Sequence, residues 1–141
     1  MSNIPKYWVK AKKNLSSKDK VMATLIKKYK SPNEKILTTR KDIFFSLCKS
    51  IIGQQISVAA ANSVFSKFKK KCNNRISAKV VSNLSFIQLK SCGLSKQKVK
   101  GIQSLAKQIL DKTFNPRLIS KMSDEEAILY LSQLRQIGRW S

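Results

Sequence analysis

The sequence contains no histidine and only seven acidic residues among its 141 positions. Without histidine, the most common general base, imidazole metal ligands and histidine-dependent nucleophile triads are all excluded. No apolar run approaches the roughly 20 residues that cross a bilayer, and no apolar segment follows the charges near Met1, so no signal peptide is predicted. Neither an imidazole-based enzyme nor a membrane protein is expected.

Cysteine is also scarce, and its spacing is uninformative for metal binding. Cys48, Cys72 and Cys92 lie far apart and form no Cys-X-X-Cys pair. They provide neither a zinc signature nor an even set for disulfides. The simplest interpretation is three buried thiols in a reducing cytoplasm, with no metal site and no cofactor.

The shortage of acids contrasts with an excess of bases. The chain has 29 lysines and arginines against seven aspartates and glutamates, a formal net charge of +22. Such a surface attracts polyanions, so nucleic acid is the first predicted partner and an anionic membrane the second. Genome composition could explain the preference for lysine over arginine, but it does not explain the scarcity of acids.

Apolar residues recur at helical spacing throughout, and no segment alternates like a strand. The predicted fold class is therefore all-α, a compact bundle of short helices. One core helix should stop at Gly53, and a short turn carrying Gln54 and Gln55 should lead into the next helix. The predicted helix starts are near Ser16 or Ser17, after Thr39 (with Asp42 three residues on), and at Ser57, Ser77, Ser85, Ser95 and Ser123.

Residues 131–141 predict the end of a helix, a tight turn and the start of a second helix. Gly138 can approach another surface closely or adopt φ > 0, and Arg135 and Arg139 flank the turn. A basic turn with outward amides suits a phosphate. An ordinary helical corner with two solvated arginines is the alternative.

A second candidate phosphate site lies at the helix that begins after Ser95. Lys96, Lys98 and Lys100 occupy its first turns, where positive charge opposes the helix dipole. Local helix stability does not account for this placement, whereas a phosphate bound between the helix start and the lysines would offset the repulsion.

Four segments together resemble the helix–hairpin–helix DNA glycosylase superfamily in order and spacing. The closest resemblance is to 3-methyladenine DNA glycosylase II, the alkylpurine branch, over roughly residues 40–141. It implies hydrolytic release of alkylated purines from double-stranded DNA by base flipping, in base excision repair. The segments are SIIGQQISVAAA at 50–61, GLS at 93–95 with Lys98, MSDEE at 122–126, and IGRWS at 137–141.

The resemblance also implies residue roles. Gln55 would fill the gap left by the flipped base, Gln54 would lie beside the base pocket, and Trp140 would be a pocket aromatic. Related enzymes with lyase activity carry a lysine at the Trp140 position, and an indole is not an amine nucleophile, so a monofunctional enzyme is implied. The predicted phosphate-binding residues are Ser95, Lys96, Lys98, Arg135, Gln136, Ile137, Gly138 and Arg139, sometimes with a monovalent cation at the hairpin.

The sequence departs from the family pattern at two places. Gln136 stands where the hairpin usually has glycine, so the clamp is expected to be looser or tilted. The family's catalytic aspartate would lie beyond Ser141, so no catalytic residue is assigned in this chain. We therefore expect a C-terminally incomplete, inactive glycosylase domain over residues 40–141, with residues 1–39 forming a helical segment packed on the core.

Two other functions are open at this stage. The chain could be a non-catalytic helix–hairpin–helix DNA-binding module, which predicts steeply salt-dependent duplex binding. It could also be a basic bundle in a ribonucleoprotein, which predicts a preference for duplex RNA. For the glycosylase, the expected state is a monomer, without membrane contact, in a bacterial-type cytoplasm and bound to the nucleoid through DNA.

Overall fold

The computed structural model describes residues 4–30 and 41–141. The chain divides into two compact units, Met1–Lys41 and Asp42–Ser141. The described residues form helices and no strand, which confirms the all-α prediction. The first unit contains α1 (Trp8–Lys18) and α2 (Lys20–Lys28); the second contains α3 (Ile43–Gly53), α4 (Val58–Lys71), α5 (Ala78–Ser82), α6 (Phe86–Lys90), α7 (Lys96–Leu110), a 3₁₀-helix (Pro116–Lys121) and α8 (Asp124–Ser132).

In the first unit, the predicted helix start near Ser16 or Ser17 is wrong. Both serines lie inside α1, and the hydroxyl of Ser17 donates to the Asn14 carbonyl 2.8 Å away. The N-cap is Asp19, whose carboxylate accepts hydrogen bonds from two amides at the start of α2. A carboxylate at the N-cap is also favoured by the helix dipole, so the break falls there.

In the second unit, the predicted serine caps are confirmed. The hydroxyls of Ser57, Ser77 and Ser95 each accept a hydrogen bond from the amide three residues further on. Ser85 and Ser123 do the same within reciprocal capping boxes. Asp42 caps α3, whereas Thr39, the other residue predicted at this start, lies outside the described residues.

The core of the second unit is a single apolar cluster contributed by most of its helices. Ile51 and Ile52 of α3, Phe68 of α4 and Ile102 of α7 are essentially inaccessible to solvent. The cluster extends to Leu134 and Ile137, beyond the end of α8. The C-terminal turn is therefore anchored in the same core as the helices that carry the other predicted site residues.

The three cysteines are free and buried, as the sequence predicted. Burial raises the pKa of Cys72 to about 11, with a smaller contribution from Cys92. Burial likewise raises the pKa of the Cys48 and Cys92 thiols. Because the thiolate is the reactive form, these cysteines are core residues and not nucleophiles.

Candidate nucleic-acid interface

The turn between α3 and α4 presents Gln55 in an unusual conformation. α3 ends at Gly53 as predicted, but the left-handed residue is Gln55, with φ +57°. Gln55 is exposed, and Ser57 immediately begins α4. A side chain in this region of φ costs about 1–2 kcal/mol, so the surrounding contacts must hold the turn in this form.

Lys98 reaches from α7 to the end of α3. Its ammonium donates to the carbonyl of Ile52 at 2.9 Å and to the carbonyl of Gln54 at 2.7 Å. Desolvation by this partly buried setting lowers the pKa of Lys98. The lysine therefore neutralises the carbonyl end of α3, which is a structural reason for its place in α7. Its predicted contact with phosphate stays a prediction.

The C-terminal turn follows α8 and is bonded to the α3–α4 turn. The side-chain amide of Gln54 donates to the carbonyl of Gln136 over 2.6 Å. Gln136 has φ +68°, so the left-handed residue of this turn is Gln136 and not Gly138. That conformation favours glycine, the residue that the resemblance leads us to expect at this position. The predicted pocket role of Gln54 stays a prediction beside this observed bond.

The first turns of α7 support the C-terminal turn from a second side. The guanidinium of Arg135 donates to the side-chain oxygen of Gln97 at 3.1 Å. Gly101 is buried, and a Cβ on it would lie 2.8 Å from Cγ and 3.1 Å from Cβ of Gln136. The side chain of Gln136 therefore occupies the space that Gly101 leaves open.

The backbone of the C-terminal turn leaves some amides available. The Ile137 amide donates to the carbonyl of Leu134, and the Gly138 amide donates to the hydroxyl of Ser141 at 2.9 Å. Within residues 4–30 and 41–141, no acceptor lies within hydrogen-bond distance of the Arg139 and Trp140 amides. The two free amides are N–H donors available to an anion, and the Ser141 hydroxyl is the oxygen that accepts from the Gly138 amide.

A monovalent cation at this turn would need backbone carbonyls. The carbonyls of Leu134, Gln136 and Gly138 each already accept a hydrogen bond, from Ile137, Gln54 and Ser141 respectively. Each retains one lone pair, so the turn could hold a cation only by sharing these oxygens. The cation stays a prediction, and no other predicted role depends on it. Among the described residues, no group of three or more histidine, cysteine or acidic side chains could hold a metal ion.

The remaining predicted site residues lie at the surface. Arg139 forms a bidentate ion pair with Glu125 at the start of α8, with nitrogen–oxygen distances of 3.1 and 2.8 Å. Its side chain is 49% exposed and that of Glu125 is 68% exposed, so the pair contributes at most about 1 kcal/mol to stability, and the predicted contact of Arg139 with phosphate stays a prediction. Ser95 and Lys96 are exposed at the start of α7. Trp140 is 95% exposed, and its pocket role stays a prediction.

The structure joins several of the predicted residues at one junction, whereas the predicted base pocket stays a prediction. Gln54, Lys98 and Gln136 are connected through direct hydrogen bonds, although they lie far apart in sequence. Sequence reasoning missed Gly101 and Gln97, because their importance comes from what they touch. The pairing of Glu125 with Arg139 was also not predicted. No helix in the described part of the chain is long and apolar enough to cross a membrane.

Comparison with known proteins supports the same family. Residues 48–138 match the model of the HhH-GPD superfamily base excision DNA repair protein. The chain is 27% identical to DNA-3-methyladenine glycosylase 1 of Schizosaccharomyces pombe, over 94% of this chain and 59% of the relative. It is 30% identical to the alkylbase DNA glycosidase-like protein mag2 of the same organism, over 94% of this chain and 63% of that protein.

A solved structure gives the same result at the level of the fold. The S. pombe 3-methyladenine DNA glycosylase in complex with abasic DNA superposes with a TM-score of 0.81 and 27% identity, covering 93% of this chain and 65% of that one. The chain thus spans about three-fifths of the length of the curated relatives that it matches. With the family model covering most of its length, the chain belongs to the HhH-GPD superfamily of base excision DNA repair proteins.

Proposed function

We propose that the protein acts in base excision repair on double-stranded DNA with alkylated bases, as a monofunctional glycosylase of the 3-methyladenine type. The observation that carries this proposal is the hydrogen bond between Gln54 and the Gln136 carbonyl. It joins the turn that presents Gln55 to the turn that carries the hairpin amides. A protein that flips a base must hold the backbone and fill the helix beside it at the same time.

In this proposal, the C-terminal turn holds the DNA backbone. The amides of Arg139 and Trp140 are free within the described residues, and amides at such turns bind phosphate oxygens. Arg135 supplies charge beside them, and Arg139 exchanges Glu125 for phosphate. Ser95 and Lys96 are exposed at the start of α7, where they contact a further phosphate.

Gln55 is proposed to enter the base stack. Its side chain is exposed, and its backbone is already left-handed. The turn between α3 and α4 therefore presents this side chain at the surface. An uncharged amide offers both donors and acceptors to the base that has lost its partner. Gap filling by Gln55 lowers the cost of unstacking the target nucleotide.

Trp140 is proposed to face the flipped base. N-alkylated purines carry positive charge, which an electron-rich aromatic face attracts. An indole forms no Schiff base, so the reaction is hydrolysis alone. None of the seven acids of this sequence takes the position of the family's catalytic aspartate. In this proposal the 141 residues bind damaged DNA without releasing the base.

Binding to a duplex with a stable abasic-site analogue, compared with the same undamaged duplex, tests the proposal. We expect the wild-type chain to prefer the abasic duplex, and Gln55→Ala to lower that preference by about tenfold, since the gap is no longer filled. Asn62→Ala, an exposed amide on α4, is the matched control. Equal affinity of the wild type for both duplexes would instead indicate a non-catalytic DNA-binding module.

Charge reversal at the C-terminal turn tests the phosphate contacts separately. Arg139→Glu is expected to weaken binding to all duplexes alike and to reduce the slope of log K against log salt concentration by about 0.9 for each lost phosphate contact. An unchanged slope would mean that Arg139 touches no phosphate. Incubation of the chain with alkylated DNA, followed by measurement of free 3-methyladenine, tests the absence of base release. The monomeric state and the location on the nucleoid of a bacterial-type cytoplasm belong to the same proposal.

A further inference from the structure

The carbonyl end of α3 is neutralised by a residue from another helix. The last turn of α3 carries no basic residue of its own, although a cation there is favourable. Lys98 supplies it from α7, at a sequence separation of 44–46 residues. Lys98 thus places its charge on this turn through hydrogen bonds to two of its carbonyls.

One of these two bonds acts on the peptide unit that precedes Gln55. The carbonyl of Gln54 belongs to the same planar peptide as the Gln55 nitrogen. A bond of 2.7 Å from the Lys98 ammonium therefore restrains the orientation of this peptide plane, which is one of the two planes that define φ of Gln55. Because φ +57° is strained for a residue with a side chain, such a bond selects the conformation that presents Gln55.

A second contact, made by the side chain of Gln54, also holds the α3–α4 turn. The Gln54 side chain donates to the Gln136 carbonyl, and α7 supports Gln136 at Gly101. Lys98 and Gly101 lie three apart in α7, so one face of that helix supports both turns. We call this arrangement, formed by Gln54, Lys98, Gly101 and Gln136, the α7 junction.

We propose that Lys98 is a positioning residue that holds the Gln54–Gln55 turn in its gap-filling form, and that it is not a ligand of DNA phosphate. The inference rests on the proposed role of Gln55 in filling the gap. It reassigns a lysine whose place in the sequence first suggested a phosphate contact. Two of the three N–H groups of its ammonium donate to protein carbonyls, and Lys98 is less exposed than Lys96 or Lys100.

Replacement of Lys98 by methionine tests this without adding charge or large volume. Lys107→Met, at an exposed lysine in the last turn of the same helix, is the matched control. We expect amide hydrogen exchange of the segment 53–57 to rise about tenfold in Lys98→Met, because the turn opens more often. We expect the preference for an abasic over an undamaged duplex to fall about tenfold, while the salt slope matches that of Lys107→Met.

Each outcome decides for or against the inference. A salt slope lowered by about 0.9 relative to Lys107→Met would make Lys98 a phosphate ligand, and unchanged exchange at 53–57 would mean that it does not hold the turn. If Lys98→Met does not fold, Lys98→Gln replaces it, because its shorter side chain keeps an uncharged amide with two N–H donors. Exchange at 53–57 should rise above that of the wild type in this variant, and no rise would count against the inference. If the wild type shows no preference for abasic DNA, the proposed function fails, and hydrogen exchange still tests the positioning role.

Discussion

Gln136 and Gly101 are matched to each other at the C-terminal turn. Gln136 is left-handed, with φ +68°, and its Cβ and Cγ occupy space beside α7 that any side chain at residue 101 would fill. Glycine in a helix interior is otherwise unfavourable by about 1 kcal/mol relative to alanine. Glycine is usually found at left-handed turn positions and residues with side chains in helices. Here the arrangement is reversed, since the glycine lies in the helix and the residue with a side chain lies in the left-handed turn.

This pairing predicts a reversal of sign. In the wild type, Gly101→Ala is expected to destabilise the fold by about 1–2 kcal/mol, because the new Cβ would lie 2.8 Å from Gln136 Cγ. In a Gln136→Gly background, the same substitution is expected to stabilise by about 0.5–1 kcal/mol through helix propensity. Urea unfolding of the two single variants and the double variant measures the coupling. Additive effects would contradict the pairing.

At this scale, the sequence predicted residue identity better than residue contacts. The resemblance singled out Gln54, Gln55, Lys98 and Gln136, and the structure brings three of them into one hydrogen-bonded set. It did not predict that Lys98 bonds to α3 or that Gln54 bonds to Gln136, 82 residues away. Such contacts depend on how distant segments pack, and no local pattern encodes them.

The start of α8 brings together most of the acids of the second unit. Glu126 accepts hydrogen bonds from the amide and hydroxyl of Ser123, which completes the capping box. Glu125 binds Arg139, and Asp124 adds a third negative charge at the same helix start. These acids therefore both cap the N-terminus of α8 and bind one arginine of the C-terminal turn.

The hydrogen bonds to Ser123, first its amide and then its hydroxyl, lower the pKa of Glu126 below the ordinary value of 4.5. A depressed pKa in the folded state contributes stability above the unfolded pKa, and this stability is lost as pH falls through the folded pKa. We expect Glu126→Gln to be less stable than the wild type at pH 7, with the difference closing below pH 4.5. Unfolding midpoints in urea at pH 7 and pH 3 test this, and a gap independent of pH would contradict it.

Element boundaries were predictable where a local signal was unambiguous. Serines followed by apolar stripes gave the starts of α4 to α8, because a cap involves only four neighbouring residues. The boundary between α1 and α2 was misplaced, since Ser16, Ser17 and Asp19 all resemble caps and only the structure selects Asp19. The 3₁₀-helix Pro116–Lys121 was not predicted, because the Asn-Pro pair at its start indicates only a break.

At the scale of the whole molecule, the buried core of the described residues lies in the second unit. All buried residues of the apolar cluster lie between Phe44 and Ile137. Within residues 4–30, no side chain is buried. The helices α1 and α2 contain 11 and 9 residues, which is short for independent helices in water. The boundary predicted between residues 39 and 40 stays a prediction; the structural division falls after Lys41.

The position of the core predicts that residues 42–141 fold without the first unit. We expect this shorter chain to unfold in one cooperative transition by circular dichroism, because its apolar cluster, its caps and the α7 junction are all internal to it. Residues 1–41 alone are expected to be largely unfolded, since no side chain among the described residues 4–30 is buried. The full chain serves as the control in the same heat and urea scans. A shorter chain that melts gradually and binds a hydrophobic dye would be a molten state. That result would mean that the first unit is required to complete the fold of the second.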